Sequence, residues 1–124
     1  MSLPRNVLTT TPENRETPLS DARSWVTPNR LFFVRNHFDI PEIDVSAWRL
    51  VVEGAVQCKV ELDWDQLNAL PQRSVFATME CAGNGRSFLQ PKVEGVQWRA
   101  GAVGHAKWIG VPLRYVLEEA KLTP

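Results

Sequence analysis

The sequence is poor in cysteine and histidine, with two of each, and its charges cancel. Cys58 and Cys81 are too few for a disulfide framework and leave room for one bridge at most. No CxxC or HxxxH spacing occurs, so these residues do not spell a zinc site. Fourteen basic residues balance fourteen acidic ones, which removes the long-range field of a general nucleic-acid or membrane-surface binder. A local basic pocket for a small anion stays open. No apolar run approaches the length of a membrane span. Met1 to Thr11 lacks a sustained apolar core and a small-residue cleavage site, so no secretory signal is visible. There is no P-loop, no GxGxxG, no haem-binding CxxCH, no flavin signature, no internal repeat and no low-complexity tract.

What is present is a chain of 124 residues with 44% hydrophobic content, enough for a packed core and suited to one domain or part of one. Residues 1–30 are rich in Pro, Thr, Asn and charge. Pro4, Pro12, Pro18 and Pro28 rule out long helices there. The stretch reads as an extended arm, with one short helical turn over residues 20–25 and Trp25 burying its ring as an anchor. Leu31 to Val34 reads as a short buried strand that ends at Arg35-Asn36-His37.

Further on, Trp48–Gly54 and Lys59–Leu62 alternate as two strands, with Cys58 in their link. Asp63 caps a short helix with Trp64, Leu67 and Leu70 along its inner face, and Pro71 ends it. Ser74–Glu80 reads as another strand, Val96–Trp98 as a further short one, and Gly101 and Gly104 as breaks. A helix begins near Pro112, with Leu113, Val116, Leu117 and Ala120 on its buried face. These strands are too few to close a barrel or sandwich, and a truncated domain is one explanation. Strands lacking their partners would leave open edges.

Cys81 is the foremost chemical candidate. It follows a strand and precedes Ala82-Gly83-Asn84-Gly85-Arg86, a loop able to adopt positive φ. Amides of residues 82–86 can turn inward around negative charge, and Arg86 can favour a thiolate. A thiolate also suits a high-valent transition metal. On local chemistry alone, a buried inert cysteine competes equally. Arg35, Asn36 and His37 offer a guanidinium fork and amide and imidazole donors for an oxyanion or phosphate, against the plainer reading of a surface turn. His105 reads as a solvent-facing loop histidine.

The motifs Phe32-Phe33-Val34-Arg35-Asn36-His37 and Glu80-Cys81-Ala82-Gly83-Asn84-Gly85-Arg86-Ser87 occur in order, followed by Gly95-Val96-Gln97-Trp98, Gly101-Ala102-Val103 and Trp108-Ile109-Gly110-Val111-Pro112-Leu113. Together, from about Pro12 to the end, they resemble the molybdopterin domain of the sulfite oxidase family. The resemblance implies an α+β fold of the sulfite-oxidase molybdopterin-binding type, apparently incomplete, with residues 31–124 as the N-terminal portion of that domain. It implies Mo-molybdopterin as cofactor and oxidation of sulfite to sulfate by oxygen-atom transfer, with nitrate or sulfane sulfur as alternative substrates and a non-catalytic truncated fragment as the alternative of another class.

By the same resemblance, Cys81 corresponds to the thiolate that ligates molybdenum and Arg35 to the arginine of the anion pocket. Phe33, Val34, Arg35, Asn36 and His37 fall in the segment contacting the pterin and its phosphate. The expected partners are a small oxyanion and an electron acceptor such as a cytochrome or oxygen, without nucleic acid or membrane, and a homodimer of the full-length protein is in keeping with the family. Gly83-Asn84-Gly85-Arg86 departs from the family's Gly-Asn-Arg-Arg variant and resembles bacterial members. Tyr115 sits on the predicted helix and does not correspond to the family's metal-side tyrosine. The expected compartment is the cytoplasm, with the periplasm as the alternative because many bacterial relatives are exported.

Overall fold

The computed structural model describes residues 6–21 and 23–123. The chain divides into two units, one comprising Met1–Pro41 and Phe76–Lys107, the other Glu42–Val75 and Trp108–Pro124.

The first unit opens with an antiparallel hairpin of β1 (Asn6–Thr10) and β2 (Glu13–Glu16), irregular between Val7 and Thr9. Alternate residues of a strand point to one face, and on β2 those residues, Asn14 and Glu16, are the buried ones. A short 3-10 turn follows at Leu19–Asp21. The helical turn expected over residues 20–25 includes Ala22, which lies outside the described residues. Trp25 is 78% exposed, so it does not bury its ring as an anchor.

Leu31–Val34 is not a strand. The amides of Leu31 and Phe32 donate back to the Pro28 carbonyl, which curls the segment into a turn, and only Val34 makes an isolated bridge, to Arg15. Val96–Trp98 is not a strand either, because the Trp98 amide turns back to the Val96 carbonyl and the Trp98 carbonyl accepts from Ser87. Trp98, Leu31 and Ala102 form the apolar core of this unit, beside the buried polar residues Asn14, Glu16, Thr17 and Thr27.

Two longer strands, β5 (Arg73–Glu80) and β6 (Val103–Gly110), pair with each other. Gly104 does not break the chain but lies within β6. A Cβ there would come within 2.5 Å of the Phe32 ring, so glycine admits the close approach. Val75, Phe76 and Met79 of β5 and Ile109 of β6 are all exposed.

In the second unit, β3 (Leu50–Val52) and β4 (Val60–Leu62) form an antiparallel pair. Gly54 follows β3 with φ +100°, a region that favours glycine. Helix α1 (Trp64–Ala69) starts with a reciprocal capping box: Asp63 Oδ1 accepts from the Gln66 amide at 2.8 Å and Gln66 Oε1 accepts from the Asp63 amide at 2.9 Å. None of its residues is fully buried. Helix α2 (Leu113–Ala120) buries Val116 and Ala120, leaves Leu117 half-buried and exposes Leu113. Pro112 occupies its N-cap, where a missing N–H costs nothing.

Candidate functional site

The first unit contains a cleft of about 340 Å³ lined by Thr9, Pro12, Asn14, Arg35, Asn36, His37, Cys81, Arg86, Gly95, Val96 and Trp98. Four segments distant in sequence meet here. The structure therefore brings Cys81 together with Arg35, Asn36 and His37. Phe33 and Val34 are not among the lining residues. Phe33 stacks on Phe32 at 5.3 Å and meets Trp98 edge-on at 6.4 Å, while Val34 exchanges both backbone hydrogen bonds with Arg15.

Cys81 lies just past the end of β5 and is half-buried. Its amide donates to the Ala102 carbonyl at 2.9 Å. Of the loop amides expected to turn inward, only Gly83 reaches the thiol, donating to Sγ at 3.4 Å. Three others are spent on backbone carbonyls: Asn84 N–H goes to Cys81 and Arg86 N–H to Gly83 within the loop, and Gly85 N–H goes to Arg99 outside it. The loop is a self-closed turn with Gly85 left-handed at φ +80°, not an open nest.

Arg86 folds across this loop and donates from Nη1 to the Glu94 carbonyl. Its Nε is buried with no partner among the described residues. Added Cβ atoms at Gly83 and Gly95 would both collide with the guanidinium, so these two glycines make its berth.

On the opposite wall, Arg35 and His37 are exposed and Asn36 is half-buried. Asn36 is held twice: its amide donates to Asn14 Oδ1 at 2.9 Å, and its Nδ2 donates to the Glu13 carbonyl at 3.0 Å. The His37 ring meets Phe38 edge-on at 4.5 Å. Asn36 thus fixes the segment while Arg35 and His37 stay available to a ligand.

His105 is not a solvent-facing loop residue. It sits in β6, between the rings of Trp25 at 4.7 Å and Phe76 at 6.2 Å, with Nδ1 2.9 Å from the Thr78 hydroxyl. It does not line the cleft. Sequence reasoning did not single out Thr9 and Asn14, which do. An asparagine between charged residues carries no visible sign of burial.

A soft sulfur, two guanidinium groups and amide and imidazole donors line one cleft, a donor set that an anionic group carrying a thiophilic metal would require. That donor set suits a pterin dithiolate cofactor with a phosphate. Residues 37–124 match the family described as oxidoreductase molybdopterin binding domain, and the chain belongs to that family. It is 42% identical over 116 residues to the mitochondrial sulfite oxidase of Drosophila melanogaster, an alignment covering 91% of this chain and 20% of the fly protein. It is 38% identical to the NADH nitrate reductase of Solanum lycopersicum, over 86% of this chain and 12% of that protein. The solved sulfane dehydrogenase SoxCD of Paracoccus pantotrophus superposes with a TM-score of 0.80 at 27% identity, covering 94% of this chain and 30% of that one. The fold is therefore the α+β molybdopterin-binding fold of the sulfite oxidase family, and the chain spans about a fifth of the fly sulfite oxidase's length.

Proposed function

We propose that this chain supplies the metal-ligand and anion-binding walls of an enzyme that oxidises sulfite to sulfate by oxygen-atom transfer. The observation that carries this reading is the convergence of Cys81 with Arg35, Asn36 and His37 on one cleft. The molybdopterin cofactor, when bound, supplies the two-electron redox chemistry. Cys81 would hold the molybdenum through its sulfur, whose charge the Gly83 amide offsets. Arg35, Asn36 and His37 would hold the pterin and its phosphate, with Phe33 and Val34 supporting that segment from behind. Arg35, exposed at the cleft, would also draw in the sulfite dianion through its planar fork. Electrons would pass singly to a cytochrome or to oxygen.

The likeness to a nitrate reductase and a sulfane dehydrogenase supports a second reading in which the same walls serve nitrate or sulfane sulfur. The test is to purify the natural polypeptide from molybdenum-sufficient cells, measure molybdenum per chain and compare acceptor-linked turnover of sulfite, nitrate and a sulfane. Stoichiometric molybdenum with sulfite as the preferred substrate supports the first reading. Preference for nitrate or sulfane overturns it, and absence of molybdenum points to a non-catalytic role.

A further inference from the structure

The cleft has two walls, which meet through the edge-on rings of Phe33 and Trp98 at 6.4 Å. Both are tied to strand β2. On one side, Asn14 Oδ1 accepts the Asn36 amide, and Arg15 and Val34 exchange two backbone hydrogen bonds of 2.9 Å. On the other, Glu16 Oε1 accepts the Arg99 amide, and Glu16 Oε2 lies 3.4 Å from Arg99 Nε. The next residue, Thr17, donates its amide to the Gly101 carbonyl at 2.8 Å and its hydroxyl to the Val103 carbonyl at 2.9 Å.

Residues 98–102 then carry the cysteine loop. The Arg99 carbonyl accepts Gly85 N–H, the Trp98 carbonyl accepts Ser87 N–H, and the Ala102 carbonyl accepts Cys81 N–H. The Ala102 amide in turn donates to Asn84 Oδ1 at 3.0 Å. Gly101 permits this approach, since a Cβ there would stand 2.5 Å from the Thr17 carbonyl.

Asn14 and Glu16 are 1% and 2% exposed, two residues apart on the same face of β2. A buried carboxylate is costly unless its hydrogen bonds are made, and here one oxygen is spent on a backbone amide rather than on solvent. We propose that Asn14 and Glu16 are positioning residues: from one buried strand face, Asn14 registers the Arg35-bearing segment and Glu16 registers the Cys81 loop, so that β2 sets the separation between anion-binding and metal-binding walls. This deepens the proposed function and rests on its assignment of Cys81 and Arg35 to opposite walls of one site.

The test uses the natural polypeptide and two kinds of readout. The first needs no substrate. Alkylation of Cys81 by iodoacetamide, in protein from cells lacking molybdenum, is followed by peptide mass spectrometry, with exposed Cys58 as internal reference. Hydrogen exchange is followed over residues 33–37. Glu16→Ala is expected to raise the Cys81 rate relative to Cys58 about tenfold, the size of one lost charge-assisted hydrogen bond, and to leave residues 33–37 unchanged. Asn14→Ala is expected to speed exchange at residues 33–37 and leave the Cys81 ratio within about twofold. Glu16→Gln, which keeps an acceptor for the Arg99 amide, is expected to restore parental behaviour, whereas Asn14→Asp, which keeps the acceptor for the Asn36 amide but loses the Nδ2 donations to Thr9 Oγ1 and the Pro12 carbonyl, is not.

The second readout is sulfite turnover per bound molybdenum. Asn14→Ala should raise KM by about tenfold with little change in kcat, and Glu16→Ala should lower kcat by about tenfold with little change in KM. If both alanine variants alter both walls alike, or if Glu16→Gln behaves like Glu16→Ala, the proposal is wrong. Should Glu16→Ala fail to accumulate, Glu16→Asp, which withdraws the carboxylate by one methylene, must shift the Cys81 ratio in the same direction for the proposal to stand. A parent without sulfite turnover in which the substrate-free pattern still holds would overturn the substrate reading and leave the registration by β2 intact.

Discussion

Replacing Gly95 with alanine should cost far more than a glycine-to-alanine change usually does. Gly95 has φ +113°, and an added Cβ would collide with Arg86 Nη1 and stand 3.0 Å from Arg86 Cζ. Two effects therefore add. Holding an L-residue at that φ costs about 1–2 kcal/mol. Pushing the guanidinium away breaks its hydrogen bond to the Glu94 carbonyl, a charge-assisted bond worth roughly 1.5–3 kcal/mol. The sum is about 2.5–5 kcal/mol. Gly54 provides the control, because its φ of +100° carries the same backbone strain with nothing within 4 Å of the added Cβ. Gly54→Ala should therefore cost only about 1–2 kcal/mol. Urea unfolding of both variants measures the difference, and in an Arg86→Ala background that difference should vanish. A Gly95→Ala cost equal to that of Gly54→Ala would refute the claim that Arg86 fills the space between the two glycines.

Cys81→Ser should lower sulfite turnover by about 100-fold or more while part of the pterin binding remains, measured as turnover and pterin content of the same preparation. Asp63→Ala removes the capping box of α1 and should cost about 1 kcal/mol in urea unfolding, with Gln66→Ala costing less. Tyr115, the chain's single tyrosine, accepts a hydrogen bond from Arg114 at 2.9 Å, and that bond with a second from Arg73 lowers its pKa from 10.0. Ultraviolet titration should show the phenol ionising below its usual range and moving back up in Arg114→Ala. The Ser46 hydroxyl and amide hold the Asp44 carboxyl below 3.8. Its contribution is therefore present above that value and lost as pH falls through the lowered pKa, so Asp44→Asn should flatten the acid limb of a stability–pH curve.

Elements whose polar and apolar residues alternate or recur with one period were legible from sequence. The pair β3 and β4, the capped helix α1, strand β5 and helix α2 all lie where that patterning puts them. The hairpin of β1 and β2 is not legible, because its buried side chains are Asn14 and Glu16 and a polar residue looks the same in sequence whether solvated or satisfied inside. Leu31 to Val34 misleads in the opposite sense: an apolar run has no period, and the carbonyl of Pro28 captures the amides a strand would need. Gly104 and Trp25 fail for a third reason, since what decides them is a distant ring, Phe32 in one case and His105 in the other. In the cleft, Arg35, Asn36, His37 and Cys81 could be singled out because their side chains have chemistry of their own. Thr9 and Asn14 reach the same cleft only through the path of the hairpin.

The bonds from Glu16 and Thr17 to residues 99–103 join positions more than 80 residues apart in sequence. Contacts of such separation close late, because the entropy of the intervening loop must be lost before any bond rewards it. The Arg35 segment is held to β2 by bonds only about 20 residues apart in sequence, but the Cys81 loop cannot hold its place until that closure has happened. Under the proposed function, a metal ligated by Cys81 must then wait for that closure, because a nascent polypeptide halted before residue 99 would carry Cys81 without the carbonyls of residues 98–102 that hold its loop.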